Sequence, residues 1–346
     1  MRIAFVVRYL CDGGAERVTS LLATGFSSMG HEVLVTSFAQ RENEYPVGEN
    51  VCVRYVPDGS TVARVRAFKE MIDSFKPDAV ISLGSKYDYI WLAGIFKKYK
   101  TILSERNDPS RKQSLPKKLF INFCFNKANG IVFQTPYAES YCKGETRNST
   151  VILNPAPANL PTWQKENHDK AVINCCRLMP QKNLPLLVRS FARFHVSHPD
   201  YKLAIYGDGP LRAELSTLVS ELGMAESIQI YSYSPDIHQV MARSAMFVSS
   251  SDFEGISNSL LEAISMGVPV ISTDSHGGGS RLLLKDGQCG ELVPCGDEAA
   301  LAAAMARVAD DSVLAQGYSV QEMARVEELS LKSICDKWLD FINRCA

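Results

Sequence analysis

The chain has 346 residues, room for two domains at roughly 150 residues each, either large enough to bury a core. Hydrophobic residues make up 46% and charged residues 22%, with 22 Gly and 16 Pro, which excludes a disordered, collagenous or disulfide-stapled chain. A formal charge of −1 excludes a polycation built for nucleic acid, so any basic feature is local.

Ten cysteines include no C-x-x-C and do not cluster with the six histidines, which points to a reducing cytosol and away from a metal site. The first apolar run, Ile3 to Val7, ends at Arg8, short of a signal-peptide core. No stretch reaches the roughly 18 apolar residues of a membrane span. The expected location is the cytoplasm, either free or peripheral at the inner face of the cytoplasmic membrane.

Ile3 to Val7 reads as a buried parallel strand, and Gly13-Gly14 precedes a helical pattern of Val18, Leu21, Leu22 and Phe26. Strand, glycine turn and helix form the first unit of a doubly wound sheet. Val33 to Phe38, Ala79 to Leu83, Thr101 to Leu103, Gly130 to Phe133 and Val151 to Leu153 continue the alternation. The run from Asn154 to Pro161, with three prolines, sustains neither ladder nor helix and marks a boundary. A second series follows with Ala171 to Cys175, Leu203 to Tyr206, Ser227 to Tyr231, Ala245 to Ser249 and Val268 to Ser272. Helical patterns lie between them, at Leu184 to Phe194 and Leu211 to Leu222.

The fold class is therefore α/β, two Rossmann-like doubly wound domains facing a cleft between the carboxyl ends of their sheets. The domains are expected at 1–160 and 161–325, with residues 326–346 a helix able to pack back on the first. From Lys97 to Lys127, nine Lys and Arg stand against Glu105 and Asp108, a net of +7. Leu115, Leu119, Phe120, Phe123 and Phe125 interleave with them, the composition of an interfacial helix on anionic lipid and equally of a solvated lysine face. No nucleic-acid motif accompanies the patch.

The densest chemical signal is the segment from Ser249 to Ala263. A buried strand ends, a polar turn carries Glu254 and Gly255, and a helix begins near Ser257 with Glu262 inside it. The amides of Ile256, Ser257 and Asn258 are then exposed at a helix N-terminus, an anion site. Two carboxylates flanking such a site suit a long ligand, hydroxylated at both ends with a phosphate between, better than a glycosidase pair across one bond. Read singly, Ser257 is an ordinary N-cap and either glutamate a solvated charge.

Glu254-x7-Glu262, with Gly255 after the first glutamate and Gly267-Val268-Pro269-Val270 after the second, resembles the signature of retaining glycosyltransferases of the GT4 family, which have the GT-B fold. Gly13-Gly14-Ala15-Glu16-Arg17 is similar to that family's glycine loop, Cys176 to Asn183 to its Arg-Leu…Lys-Asn element, and Gly207-Asp208-Gly209-Pro210 to its Gly-Asp-Gly-Pro turn. The resemblance implies that Arg177 and Lys182 clasp a donor diphosphate, by charge and donor geometry. It further implies that Glu262 accepts from ribose hydroxyls, Glu254 binds a sugar hydroxyl, and Gly255, Ile256, Ser257, Asn258 and Gly209 complete the donor site. Gly14 lets backbone approach the donor.

Three positions depart from the family pattern. Ser232 stands for a glycine near the base, and Gly277-Gly278-Gly279-Ser280 replaces Gly-Gly-Pro, a change that suggests a looser loop. The stretch Ser104 to Pro109 has no histidine where many relatives carry one, resembling enzymes of bacterial surface-polysaccharide and lipid-linked glycan assembly; Arg106, Asn107 and Asp108 become acceptor-side candidates.

No Asp-x-Asp occurs, so fixed cations and a helix N-terminus are expected to neutralise the leaving diphosphate, with no metal and no cofactor. The implied reaction moves a hexose or N-acetylhexosamine, with retention, from a nucleotide diphosphate sugar, UDP by family habit. Its acceptor is a glycan or polyprenyl-diphosphate-linked glycan. A nucleotide-sugar epimerase or hydrolase shares this architecture and differs in product. An oxidoreductase would want G-x-G-x-x-G, and a non-catalytic carbohydrate binder has little use for Arg177 and Lys182.

Overall fold

The computed structural model describes residues 1–11, 13–106, 114–141, 148–166 and 168–345. The chain divides into two compact units, residues 1–155 with 331–346, and residues 156–330. Each unit is built on one parallel sheet.

In the first unit the strands are β1 (Arg2–Val7), β2 (Glu32–Ser37), β3 (Val51–Tyr55), β4 (Ala79–Leu83), β5 (Lys100–Glu105), β6 (Gly130–Phe133) and β7 (Ser149–Val151). They lie in the order β3-β2-β1-β4-β5-β6-β7, and every pair is parallel. Ile3 to Val7, Ala79 to Leu83 and Gly130 to Phe133 are buried throughout, the continuous pattern of strands covered on both faces. The strand β3 escapes the sequence reading because it lies at the sheet edge, where Arg54 and Tyr55 interrupt its apolar run.

The second unit carries β8 (Asp169–Cys175), β9 (Lys202–Tyr206), β10 (Ile228–Tyr231), β11 (Ser244–Ser249), β12 (Val270–Thr273) and β13 (Glu291–Val293), in the order β10-β9-β8-β11-β12-β13. Only three residues long and at the other edge, β13 is too short to show a period. Strand order reverses between β1 and β4 in one sheet and between β8 and β11 in the other. The loops that leave the carboxyl ends of those strands flank a crevice, where open α/β sheets take their ligands.

The closing segment, expected from the sequence as one helix over 326–346, instead spans the end of one helix and the whole of another: Ser312–Glu328 and Leu331–Arg344. Leu329, fully buried, caps the first, and its carbonyl accepts from Ala156 N at 2.7 Å. The second helix belongs to the first unit. It buries Ile334, Cys335, Trp338, Phe341 and Ile342, the three-and-four spacing of one apolar face. Against the helix Gly14–Ser28 the approach is close, since a Cβ on Gly25 would lie 2.5 Å from Cys335 Sγ.

Trp338 is fully buried. Trp338→Ala is expected to cost the first unit about 3–5 kcal/mol, seen as an earlier urea transition in that unit's near-ultraviolet signal; a shift under about 1 kcal/mol would contradict this packing.

Candidate functional site

The reversal point of the second sheet holds the donor residues expected from the sequence. After β8 the chain runs through Arg177 into a single 3-10 turn, Pro180–Lys182, and Asn183 takes a left-handed conformation (φ 43°) before the helix Leu184–His195. After β11 it crosses the polar loop from Ser250 to Ser257 and enters the helix Asn258–Met266. Ser257 caps that helix, its Oγ accepting from Leu260 N at 3.5 Å.

Lys182 reaches across from the first loop and pairs with Glu254 Oε1 in the second. Both side chains are nearly covered, 14% and 11% exposed, so the attraction acts at lower dielectric than a surface pair's. Gln181 Nε2 at 3.4 Å and Ser251 Oγ at 3.3 Å donate to the same oxygen. The loops are stitched elsewhere too: Ser250 Oγ donates to Lys182 O at 2.8 Å, Asn183 Nδ2 to Asp252 Oδ1 at 2.8 Å, and Asp252 N to Gln181 O at 3.0 Å. Nothing in the sequence marks Gln181, Asn183 and Asp252 for these roles, because their partners lie about seventy residues away along the chain.

Behind Glu254 lies the Gly277-Gly278-Gly279 loop. A Cβ on Gly277 (φ +100°) would sit 2.3 Å from Glu254 O, and one on Gly279 1.4 Å from Gly255 O. Glu254 N also donates to His276 O at 2.9 Å. The glycines therefore hold two backbones together, a correction to the looser loop expected from the missing proline. The Gly-Asp-Gly-Pro turn acts similarly on the other side: a Cβ on Gly209 would meet Leu178 O at 2.5 Å, and Leu178 N donates to Asp208 O at 2.9 Å.

Arg177 is exposed, and its side chain makes no hydrogen bond or ion pair among the described residues. Burial pushes the Cys176 thiol up to about 11, and the charges of Lys182, Glu254 and Arg177 all act on it. Burial also lifts Cys175 well above a free thiol, with the Glu262 charge adding to the effect. Both stay protonated near neutral pH and offer no thiolate nucleophile.

Glu262 lies in the second turn of its helix, 8% exposed, with its Oε2 3.4 Å from His238 Nε2. His238, on the helix Ile237–Ala242, belongs to no motif, and only the structure brings it to the site. Gly255, Ile256, Ser257 and Asn258 lead into the helix N-terminus, with Ile256 and Ser257 buried. Ser232 joins a network in which Arg212 Nη2 donates to Gly207 O at 2.7 Å and to Asp208 Oδ1 at 2.9 Å, and Ser232 Oγ donates to that carboxylate at 3.1 Å.

In the first unit, Gly14 opens the helix Gly14–Ser28. Arg106 follows β5, and burial pushes its guanidinium down to about 10. Its Nη1 donates to Asn154 Oδ1, while Nε and Nη2 have no acceptor among the described residues. Asn107 and Asp108 lie outside the described residues. Among the described residues no three His, Cys, Asp or Glu side chains are grouped to hold a metal ion.

Residues 157–323, which contain the whole of the Lys182–Glu254 site, match the family described as glycosyl transferases group 1. The matched region is thereby similar to the group 1 (GT4) glycosyl transferases. The chain is 24% identical over 344 residues to the amylovoran biosynthesis glycosyltransferase AmsD of Erwinia amylovora, covering 96% of each chain. It is 30% identical over 174 residues to the Campylobacter jejuni N-acetylgalactosamine-N,N'-diacetylbacillosaminyl-diphospho-undecaprenol 4-alpha-N-acetylgalactosaminyltransferase, covering 50% of this chain and 47% of that one. The chain thus spans about half the length of the second relative. The structure of Anabaena HepE in complex with UDP and glucose superposes with a TM-score of 0.82 at 17% identity over 99% of both chains, which gives the GT-B fold.

Because nothing can yield around Gly279, Gly279→Ala is expected to displace the Glu254–Ile256 backbone and cost about 1–3 kcal/mol. Gly279 is not in the left-handed region, so the cost comes from the close approach alone, and equal melting temperatures for Gly279→Ala and the unsubstituted protein would refute the packing.

Proposed function

We propose that this chain transfers a hexose or N-acetylhexosamine from a nucleotide diphosphate sugar, a UDP-sugar, to a glycan or lipid-linked glycan acceptor in bacterial polysaccharide or glycoconjugate assembly, with retention and without a metal. The observation that carries the reading is the shielded Lys182–Glu254 pair at the reversal point of the second sheet, inside the family-matched region.

Loss of a nucleoside diphosphate puts negative charge on the leaving group while positive charge grows on the sugar ring. Lys182 and the exposed Arg177 supply the compensating cations, and the N-terminus of the helix Asn258–Met266 supplies main-chain dipole. Glu254, held by Lys182, Gln181 and Ser251, is fixed as an acceptor for a donor-sugar hydroxyl. Glu262, steadied by His238, is the acceptor for the ribose hydroxyls. In this reading, as the family resemblance implies, a donor phosphate oxygen takes the acceptor proton; Cys175 and Cys176 are protonated and do not serve as the base. That the HepE structure holds UDP supports the choice of nucleotide, and the Campylobacter relative's undecaprenol-linked substrate supports a lipid-linked acceptor.

Approach to a membrane surface has its own support. On the helix Leu115–Lys127, Leu115, Leu119 and Phe123 recur at four-residue steps and are exposed, and the exposed Trp91 packs on Phe120 and Phe123 with ring centroids 5.9 and 5.8 Å apart. Lys117, Lys118 and Lys127 accompany this stripe. Phe125, read from sequence as part of the interfacial composition, is instead buried in the core with Cys124. No helix among the described residues is long and apolar enough to cross a membrane.

Lys182→Ala and Glu254→Ala are expected to lower turnover at least about 100-fold, the scale of losing one electrostatic contact in a transition state, with circular dichroism unchanged and full wild-type activity in excess chelator. Near-wild-type turnover in both variants would eliminate the site. For the membrane surface, Lys117→Glu with Lys118→Glu should release the protein from anionic vesicles by roughly 1 kcal/mol per lysine removed; equal sedimentation with anionic and neutral vesicles at low salt would refute it.

A further inference from the structure

The reversal point of the first sheet, between β1 and β4, has no role so far, yet it gathers cations much as its counterpart in the second sheet does. Arg8 follows β1 directly and is exposed. Lys86 follows β4, in a left-handed conformation (φ 58°), and its Nζ sits 4.7 Å from the Phe38 ring centroid and 4.6 Å from that of Tyr89. Arg64 Cζ lies 5.7 Å from the same Phe38 ring, and Arg64 Nη2 donates to Phe38 O. Phe38 N in turn donates to Arg8 O at 3.1 Å, which ties this group to the end of β1.

Three cations in one place repel, and among the described residues their charge is only partly offset, with Glu105 acting on the neighbouring Arg106. Asp58 pairs with Arg64 at 3.4 Å and is itself almost fully exposed; Asp88 acts on Lys86. Burial lowers the Lys86 pKa, Asp88 opposes that, and Arg64 and Arg8 push it further down. Next along the same edge, Arg106 packs by its Cβ against Gly84, 3.7 Å from where a Gly84 Cβ would stand. Its Nε and Nη2, without an acceptor among the described residues, are the edge of a guanidinium that grips an oxyanion with two parallel bonds. A neutral sugar has no use for this charge, whereas a phosphoryl group does.

We infer that the carboxyl-end crevice of β1 and β4 is an anion subsite for a phosphate or diphosphate group on the acceptor, held by Arg8, Arg64 and Lys86 with Arg106 beside them. That the anion belongs to the acceptor rests on the transferase reading above; the anion site itself stands on the geometry.

Pyridoxal 5′-phosphate, an aldehyde bearing a phosphate, condenses with an unprotonated lysine amine to an imine and water, and borohydride fixes the adduct for peptide mass spectrometry. On the full chain, Lys86 should be labelled at least about fivefold faster than the exposed Lys332, and inorganic pyrophosphate should suppress that labelling. Arg8→Gln should raise the protecting pyrophosphate concentration at least threefold. Farnesyl diphosphate protecting at tenfold lower concentration than pyrophosphate points to a lipid-linked source, and glucose 1-phosphate protecting as well as farnesyl diphosphate points to a soluble one; both support the subsite. Labelling of Lys86 that none of the three anions slows overturns it, as does protection unchanged in Arg8→Gln. UDP binding to the unsubstituted protein, followed by thermal shift, reports on the transferase reading alone, so either result can fail while the other stands.

Discussion

A lysine and a glutamate that are each nearly removed from water cannot be left alone, and the second unit is arranged around that constraint. Lys182 and Glu254 come from loops about seventy residues apart, so their pairing needs β8 and β11 to be neighbours in the sheet and the two loops to leave the same edge. The supporting hydrogen bonds from Gln181, Ser251, Ser250 and Asn183 restrict both loops at once. Such a pair contributes little net stability, because desolvation offsets most of the attraction. What it does supply is position: a carboxylate held in one orientation, and a cation already stripped of much of its water, as the proposed diphosphate site requires.

The glycines make that arrangement possible on two sides. Gly277 and Gly279 let one backbone lie against the carbonyls of Glu254 and Gly255, and Gly209 lets another lie against Leu178. Side chains at these positions would force apart the loops that carry the charges. The family motif is therefore in part a packing motif, and a glycine within it need not touch a ligand to be required for binding.

The fold was legible because nearly every central strand is an unbroken apolar run bounded by polar or glycine residues, as in Ile3 to Val7 and Ala245 to Ser249. The edge strands β3 and β13 were not, since β3 alternates burial along its length and β13 has three residues. The helix break at Leu329 was hidden because the apolar spacing on either side reads as one continuous pattern; a buried carbonyl bonded to Ala156 N ends the first helix there. Of the site, Lys182, Glu254 and Glu262 could be found because they fall in two compact motifs, Cys176 to Asn183 and Ser249 to Ala263. His238, and the cations Arg8, Arg64 and Lys86, could not, because their proximity is made by strand order rather than by spacing in the sequence.

The helix Leu331–Arg344 gives the first unit a discontinuous chain: its sheet is complete by Val151, but part of its core arrives only after the whole of the second unit. On a ribosome, residues 156–330 can finish folding while the first sheet still lacks the cover that Trp338 and Phe341 provide. Until then the face of the helix Gly14–Ser28 around Gly25, where Cys335 and Leu331 lie, is uncovered, so the earliest-made domain is the last to become safe from aggregation.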